Sequence, residues 1–167
     1  MTTDPLLRVL FIHGLESNPQ GAKARFLAAH FEALTPAMDT SDFTACVAAQ
    51  AAAIEQFSPH VVVGSSFGGG VAVALLAQRL WRGPTVLLAP ATTLLGLAPV
   101  LPADLAVTVV HGVHDAVVPL ADSRALAASG TPALVRLLEV DDEHRLQTLV
   151  DSGQLAALVV ETRQRGG

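Results

Sequence analysis

Residues 60–70 read HVVVGSSFGGG, and no other stretch restricts the fold as much. Three β-branched residues, Val61 to Val63, run into Gly64-Ser65-Ser66-Phe67-Gly68, and an Ala/Val/Leu-rich segment follows. The pattern predicts a buried strand, a tight turn and a helix in immediate succession. The middle residue, Ser66, is expected to adopt a strained backbone conformation with its hydroxyl pushed outward. Gly64 and Gly68 keep the flanks small where strand and helix nearly touch.

Similar apolar runs recur at Leu7–Ile12, Thr85–Leu88 and Val107–His111, with a fifth at Leu134–Val140. Near-continuous Val/Ile/Leu character is that of strands buried on both faces. A weaker candidate at Leu34–Met38 contains Pro36, which suits an edge strand. Between the runs, Lys23–Ala33, Asp42–Phe57, Gly68–Trp81, Leu120–Ala128 and Leu146–Arg163 read as helices. Thr40, Ser41 or Asp42 can cap the second, and Gly153 is placed to break or bend the last. Ala91–Asp104 reads as a loop too short to form a separate lid. Strands alternating with helices imply right-handed crossovers and a parallel sheet. The expectation is an α/β, three-layer fold with a mainly parallel sheet of about six strands, residues 1–167 forming one domain.

Composition excludes several classes of function. The net charge of −5 and the lack of a basic run argue against a nucleic-acid partner. No stretch approaches the roughly 18 apolar residues of a membrane-spanning helix. Residues 1–14 lack a basic segment ahead of the apolar run, so no signal peptide is expected. One cysteine, Cys46, rules out a disulfide framework and suits a cytoplasmic setting. Lys23 is the only lysine beside abundant arginine, a bias read as codon usage rather than chemistry.

A serine hydroxyl is a weak nucleophile. It needs an imidazole to take its proton and a carboxylate to orient that imidazole. Two later residues supply these groups. Asp115 lies in HGVHDAVVP (111–119), just past a strand end, and His144 lies in DDEHRL (141–146), after the last strand. Strand C-terminal ends are where open α/β sheets collect their ligands and reactive groups. Two backbone N–H groups can hold an oxyanion. One belongs to Phe67, at a helix start. The other belongs to the loop His13-Gly14-Leu15 after the first strand, most simply Leu15.

With these pieces in place, the chain resembles the small lidless α/β-hydrolases, in particular the compact bacterial esterases of the YqiA type. The matching segments are FIHGLESNPQGAKA (11–24), VVGSSFGG (62–69), HGVHDAVVP and DDEHRL, in the family's order. The resemblance implies an α/β-hydrolase fold without a cap domain and without the first two strands of full-size members. It also implies carboxylic-ester hydrolase activity on Ser66, Asp115 and His144, and an open site.

Each residue has a competing role. Ser65 is the rival serine, though a turn of this kind presents only its central residue. Asp141 and Asp142 compete with Asp115 or cap the last helix. His30 and His60 lie away from the strand ends. His13 and His111 are expected to bind loop backbone, and His114 is a loop residue. A zinc site on His111 and His114 lacks further ligands. Ser17 and Asn18 either line the pocket or cap the helix beginning near Gly21, with capping the stronger reading.

The expected activity is hydrolysis of small acyl esters or thioesters through an acyl-enzyme on Ser66, with no cofactor and no metal. The alternative is a hydrolase-fold binding protein with weak or vestigial turnover. The expected partner is a small-molecule ester, and the chain is a monomer or homodimer. The apolar loop Thr92–Pro102 either covers the acyl site or packs on the sheet.

Overall fold

The structure, a computed structural model, describes residues 6–15 and 17–167. Met1–Pro5, the start of the segment in which no signal peptide is expected, and Glu16 lie outside the described residues. Six strands form one sheet among the described residues: β1 (Arg8–Ile12), β2 (Glu32–Leu34), β3 (Val61–Ser65), β4 (Thr85–Leu88), β5 (Val107–Gly112) and β6 (Val135–Val140). Their order is β2-β1-β3-β4-β5-β6, and every neighbouring pair is parallel.

The alternation of side chains along each strand divides the core in two. Leu10, Ile12, Val62, Leu87 and Val109 face one layer, packed by α2 (Phe43–Phe57), α3 (Phe67–Ala77) and α4 (Leu120–Ala128). Val9, Phe11, Val61, Val63, Leu88 and Val110 face the other. That layer is packed by α1 (Ala22–His30), α5 (Gln147–Asp151) and α6 (Gln154–Arg165). The fold is therefore the three-layer α/β arrangement expected from the sequence. Because both faces of β1 and β3 are covered, their residues are buried without exception from Val9 to Ile12 and from Val61 to Gly64.

Helix α3 carries the elbow into the core. Its residues Phe67 to Leu76 are all buried, which suits its apolar character on every side. Helix α2 starts where expected: the Asp42 carboxylate accepts the Ala45 N–H at 3.0 Å.

Three boundaries differ from expectation. The first helix stops at His30, not Ala33, because Glu32 to Leu34 pair with Arg8 to Leu10 as β2. The edge strand is thus displaced from Leu34–Met38. Helix α3 ends at Ala77 and not at Trp81. Arg79 takes a positive φ of 56°, and the Trp81 indole N–H turns to the Thr85 hydroxyl at 2.9 Å. The last helix is two, α5 and α6, separated at Gly153, whose φ of 77° is left-handed. The Thr92–Pro102 loop packs on the α3 side of the sheet, with Leu95 against the core and Leu101 buried.

The strand order reverses direction at β1. The chain moves from β1 outward to β2, then returns past β1 to β3 and continues to β6. The crevice beyond the C-terminal ends of β1 and β3 is the place where such sheets bind ligands. Ser66 and the His13–Leu15 loop both lie there.

Candidate active site

The backbone at Ser66 is held in an unfavourable conformation. Its φ is 55° and ψ −115°, a region that side-chain-bearing residues rarely enter. Such strain costs about 1–3 kcal/mol and persists only where surrounding contacts fix it. Here the Ser66 N–H donates to the Leu88 carbonyl at 2.9 Å. The Ser66 carbonyl accepts from Gly70 at 3.1 Å and from Ala91 at 2.9 Å. Strand β4 and the segment after it thereby grip the turn from one side.

Close packing grips it from the other. A Cβ added at Gly68 would stand 2.0 Å from the Ile12 carbonyl oxygen, and one at Gly64 would stand 2.6 Å from the Gly68 oxygen. Gly14 is less crowded, since a Cβ there would lie 3.3 Å from the Ser65 oxygen and 3.4 Å from the Ser66 Cβ.

The structure brings Ser66, His144 and Asp115 together. The Ser66 hydroxyl donates to His144 Nε2 at 2.9 Å, and His144 Nδ1–H donates to Asp115 Oδ2 at 2.7 Å. The Asp115 side chain is only 1% exposed, whereas that of His144 keeps 21% and lines the crevice. The second oxygen of Asp115 accepts the N–H groups of Val117 and Val118, each at 2.8 Å. Burial alone would raise this carboxyl's pKa. The hydrogen bonds from His144, Val118 and Val117 together outweigh that effect and hold it below the ordinary aspartate value of 3.8.

His111 stands behind this pair, fully buried. Its Nε2–H donates to the Val118 carbonyl at 2.9 Å, 3.2 Å from Asp115 Oδ2, while Nδ1 meets the Ser123 hydroxyl at 2.7 Å. A carbonyl acceptor requires the proton on Nε2, which fixes the ring's tautomer. His111 and Ser123 thus brace the Asp115 loop.

A depressed carboxylate pKa has a consequence for stability. The Asp115 carboxylate contributes stability at pH values above about 3.8, lost as pH falls through its lower folded value. The stability difference between wild type and Asp115→Asn is therefore expected to be largest near neutrality. It should shrink below about pH 4, where the unfolded chain no longer carries that charge. Urea unfolding of both proteins at pH 7 and pH 3 checks this, and a difference that grows at pH 3 would contradict it.

The first-strand loop is also fixed. His13, buried, donates from Nδ1 to the Gly14 carbonyl at 2.8 Å, and Ser17 N–H donates to the same oxygen at 3.3 Å. In a trans peptide the N–H points opposite to the carbonyl. Pinning the Gly14 oxygen therefore sets the direction of the Leu15 N–H. Phe67 is the first residue of α3, where a backbone N–H has no partner within the helix. Its ring is buried edge-on to Phe43 at 5.8 Å.

A crevice of about 330 Å³ opens over Ser66. Gly14, Leu15, Ser66, Val117 and His144 form part of its wall, and Leu15 and Val117 expose 60% and 58% of their surface at its edge. Ser17 and Asn18 also line it, which corrects the capping assignment. Helix α1 has Gly21 at its N-cap with no side-chain cap, and the Asn18 side chain accepts the Gln20 N–H instead. Lys23 and Arg145 are wall residues that sequence reading missed. Lys23 stands out in the sequence only as the single lysine of the chain, which does not by itself mark a wall position.

The competing residues are accounted for elsewhere. Asp142 caps α5, accepting from the Thr148 N–H and hydroxyl, and Asp141 pairs with exposed His114 at 2.8 Å. His60 Nδ1 accepts the Arg8 N–H, and His30 Nδ1 donates to the Phe26 carbonyl.

Comparison with known proteins gives the same architecture. A protein from Xanthomonas campestris pv. campestris, assigned to the alpha/beta superfamily of hydrolases, is similar over 90% of this chain and 95% of its own. The two share 27% identity at a TM-score of 0.74. Mouse alpha/beta hydrolase domain-containing protein 10 superposes with a TM-score of 0.76 at 16% identity, covering 92% of this chain and 88% of that one. A monoacylglycerol lipase from Paleococcus ferrophilus gives 0.73 at 14% identity, over 95% and 94% of the two chains. The latter two identities speak for the fold alone. No curated protein matches in sequence. The family model described as "Uncharacterised protein family (UPF0227)" matches residues 8–100, more than half of the chain. The chain therefore belongs to the uncharacterised protein family UPF0227, on the fold of the α/β-hydrolase superfamily.

Proposed function

We propose that this protein is a serine hydrolase that cleaves carboxylic esters or thioesters of small acyl groups through an acyl-enzyme on Ser66. The observation that carries the reading is the unbroken hydrogen-bond chain from the Ser66 hydroxyl through His144 to buried Asp115. Residues 1–167 act in this reading as one domain without a cap.

In the first step His144 Nε2 takes the Ser66 proton as Oγ attacks the carbonyl carbon. The carbonyl electron pair moves to oxygen, which the Leu15 and Phe67 N–H groups receive. Asp115, held ionised, stabilises the imidazolium and keeps its orientation. As the oxyanion collapses, the bond to the leaving group breaks and His144 returns the proton to the departing alkoxide or thiolate. Water then gives a proton to His144 and attacks the acyl carbon. Ser66 Oγ recovers the proton and the carboxylic acid departs. The exposed apolar pair Leu15 and Val117 suits a short acyl chain at the mouth of the crevice.

A chain-length series of p-nitrophenyl esters, assayed with wild type and Ser66→Ala, tests the reading. Turnover that requires Ser66 and declines for long acyl chains is expected. Equal rates for the two proteins would leave a binding role as the better account. Asp115→Asn should lower kcat on the order of 10⁴-fold at neutral pH, because the amide favours the wrong histidine tautomer. Steady-state kinetics on the best ester checks that figure, and a loss under tenfold would exclude Asp115 as the orienting acid.

A further inference from the structure

The crevice over Ser66 has an unusual charge pattern for this chain. The protein carries a net charge of −5, yet no Asp or Glu is among the described residues of the crevice wall. Among the described residues of that wall, the side chains of fixed charge are Lys23 and Arg145, with Ser17, Asn18 and Gln147 as neutral polar neighbours. Lys23 comes from the first turn of α1 and Arg145 from the loop that carries His144. Two chain segments far apart in sequence therefore each bring a cationic residue to the crevice that holds Ser66.

Lys23 is half-buried and anchored. Its ammonium donates to the Arg145 carbonyl at 2.6 Å, a contact spanning 122 residues of sequence. An ammonium has three protons, so this bond leaves two for another acceptor. Burial, and then the nearby Arg145 charge, lower the Lys23 pKa, while Asp142 opposes the shift. The Asp142 carboxylate is already engaged by Thr148 and the Glu143 N–H. Two like charges beside one crevice attract an incoming anion. The uncapped first turn of α1, whose Gly21, Ala22 and Lys23 line the same wall, adds dipole of the same sign.

We infer that the crevice selects esters bearing a second, anionic group, a carboxylate or a phosphate, which Lys23 and Arg145 bind while Ser66 attacks the ester carbonyl. The inference rests on the serine-hydrolase reading and specifies its substrate class. The bond broken is the same ester bond, and the anionic group passes through the reaction unchanged. Lys23 has a second duty as a positioning residue, because its bond to the Arg145 carbonyl holds the peptide next to His144.

The test compares kcat/KM for matched esters. Ethyl butyrate against monoethyl glutarate places the charge on the acyl side. The butyrate ester of ethylene glycol, against those of glycolate and of 2-phosphoethanol, places a carboxylate or a phosphate on the leaving group. At least one anionic ester should be preferred by about tenfold or more over its neutral match, the scale of a charge-assisted hydrogen bond. That ratio should fall with added salt. Lys23→Met and Arg145→Met should each bring the ratio towards one, and Lys23→Arg should retain more of it than Lys23→Met. The ratio is the readout because Lys23→Met also loosens the His144 loop and slows every ester. Arg145 is exposed, so its variant tests the charge without disturbing the core. Neutral esters turned over by Ser66 with no anionic preference, or a preference unchanged in both Met variants, would overturn this inference and leave the serine-hydrolase reading intact. Absence of Ser66-dependent turnover with every ester would overturn both.

Discussion

Ser66→Ala is expected to lower kcat on the best ester by as much as 10⁶-fold, the scale seen when a triad nucleophile is removed. The fold should survive the change. The contacts that hold the strained turn, to Leu88, Gly70 and Ala91, use the Ser66 backbone and not its hydroxyl. If the Leu15 and Phe67 N–H groups hold the oxyanion as proposed, a small residual rate over water should remain. Single-turnover and steady-state assays on wild type and variant measure both quantities. Replacing the neighbouring Ser65 by Ala should leave turnover within about tenfold of wild type, since the hydroxyl on His144 belongs to Ser66. Comparable losses at the two positions would point to damage of the turn rather than removal of a nucleophile.

Gly68→Ala should cost substantial stability, because a Cβ there meets the closest main-chain atom of any described glycine. The new Cβ would lie 2.0 Å from the Ile12 oxygen, 2.5 Å from the Ile12 carbonyl carbon and 2.6 Å from the His13 oxygen. All three are main-chain atoms, so no side-chain rotation can make room. Helix α3 and the end of β1 must separate, and overpacking of this kind costs about 3 kcal/mol. For a chain of this length that lowers Tm by about 6–12 °C. Activity should fall as well, because the same separation moves the Phe67 N–H away from the Leu15 N–H. Thermal unfolding followed by circular dichroism measures the first effect. A Tm within about 2 °C of wild type would show that the strand and helix are less tightly joined than described.

Much of this architecture is legible in the residues themselves. Strands buried on both faces write themselves as Val/Leu runs, so β3, β4 and β5 appear in the sequence almost at their observed limits. The exposed edge strand β2 has no such run. Glu-Ala-Leu continues the preceding helical pattern, and only pairing with β1 decides that these residues are extended. By sequence, Trp81 closes the helical segment Gly68–Trp81. Its indole N–H needs an acceptor when buried, and Thr85 provides one outside the helix. Ser66, Asp115 and His144 could be placed on one rim because each follows a strand end, a rule that acts through chain order. The contact of Lys23 with Arg145, or of His111 with Ser123, depends on where helices α1 and α4 come to rest against the sheet. No local pattern encodes that, so a lone lysine read as codon bias proves to be part of the crevice wall. The capping role given to Ser17 and Asn18 failed for a related reason: Gly21 ends the loop one residue ahead of the helix, and the polar pair stays in the crevice.

The central claim is that Ser66 is the residue that carries the acyl group. Covalent trapping tests it most directly. The protein is treated with a fluorophosphonate, its intact mass is measured, and the adduct is located by fragmentation. One equivalent of phosphonate on Ser66, absent from Ser66→Ala and slowed in His144→Ala, is the predicted result. An adduct on Ser65 or any other residue, or undiminished labelling of Ser66→Ala, would contradict the account.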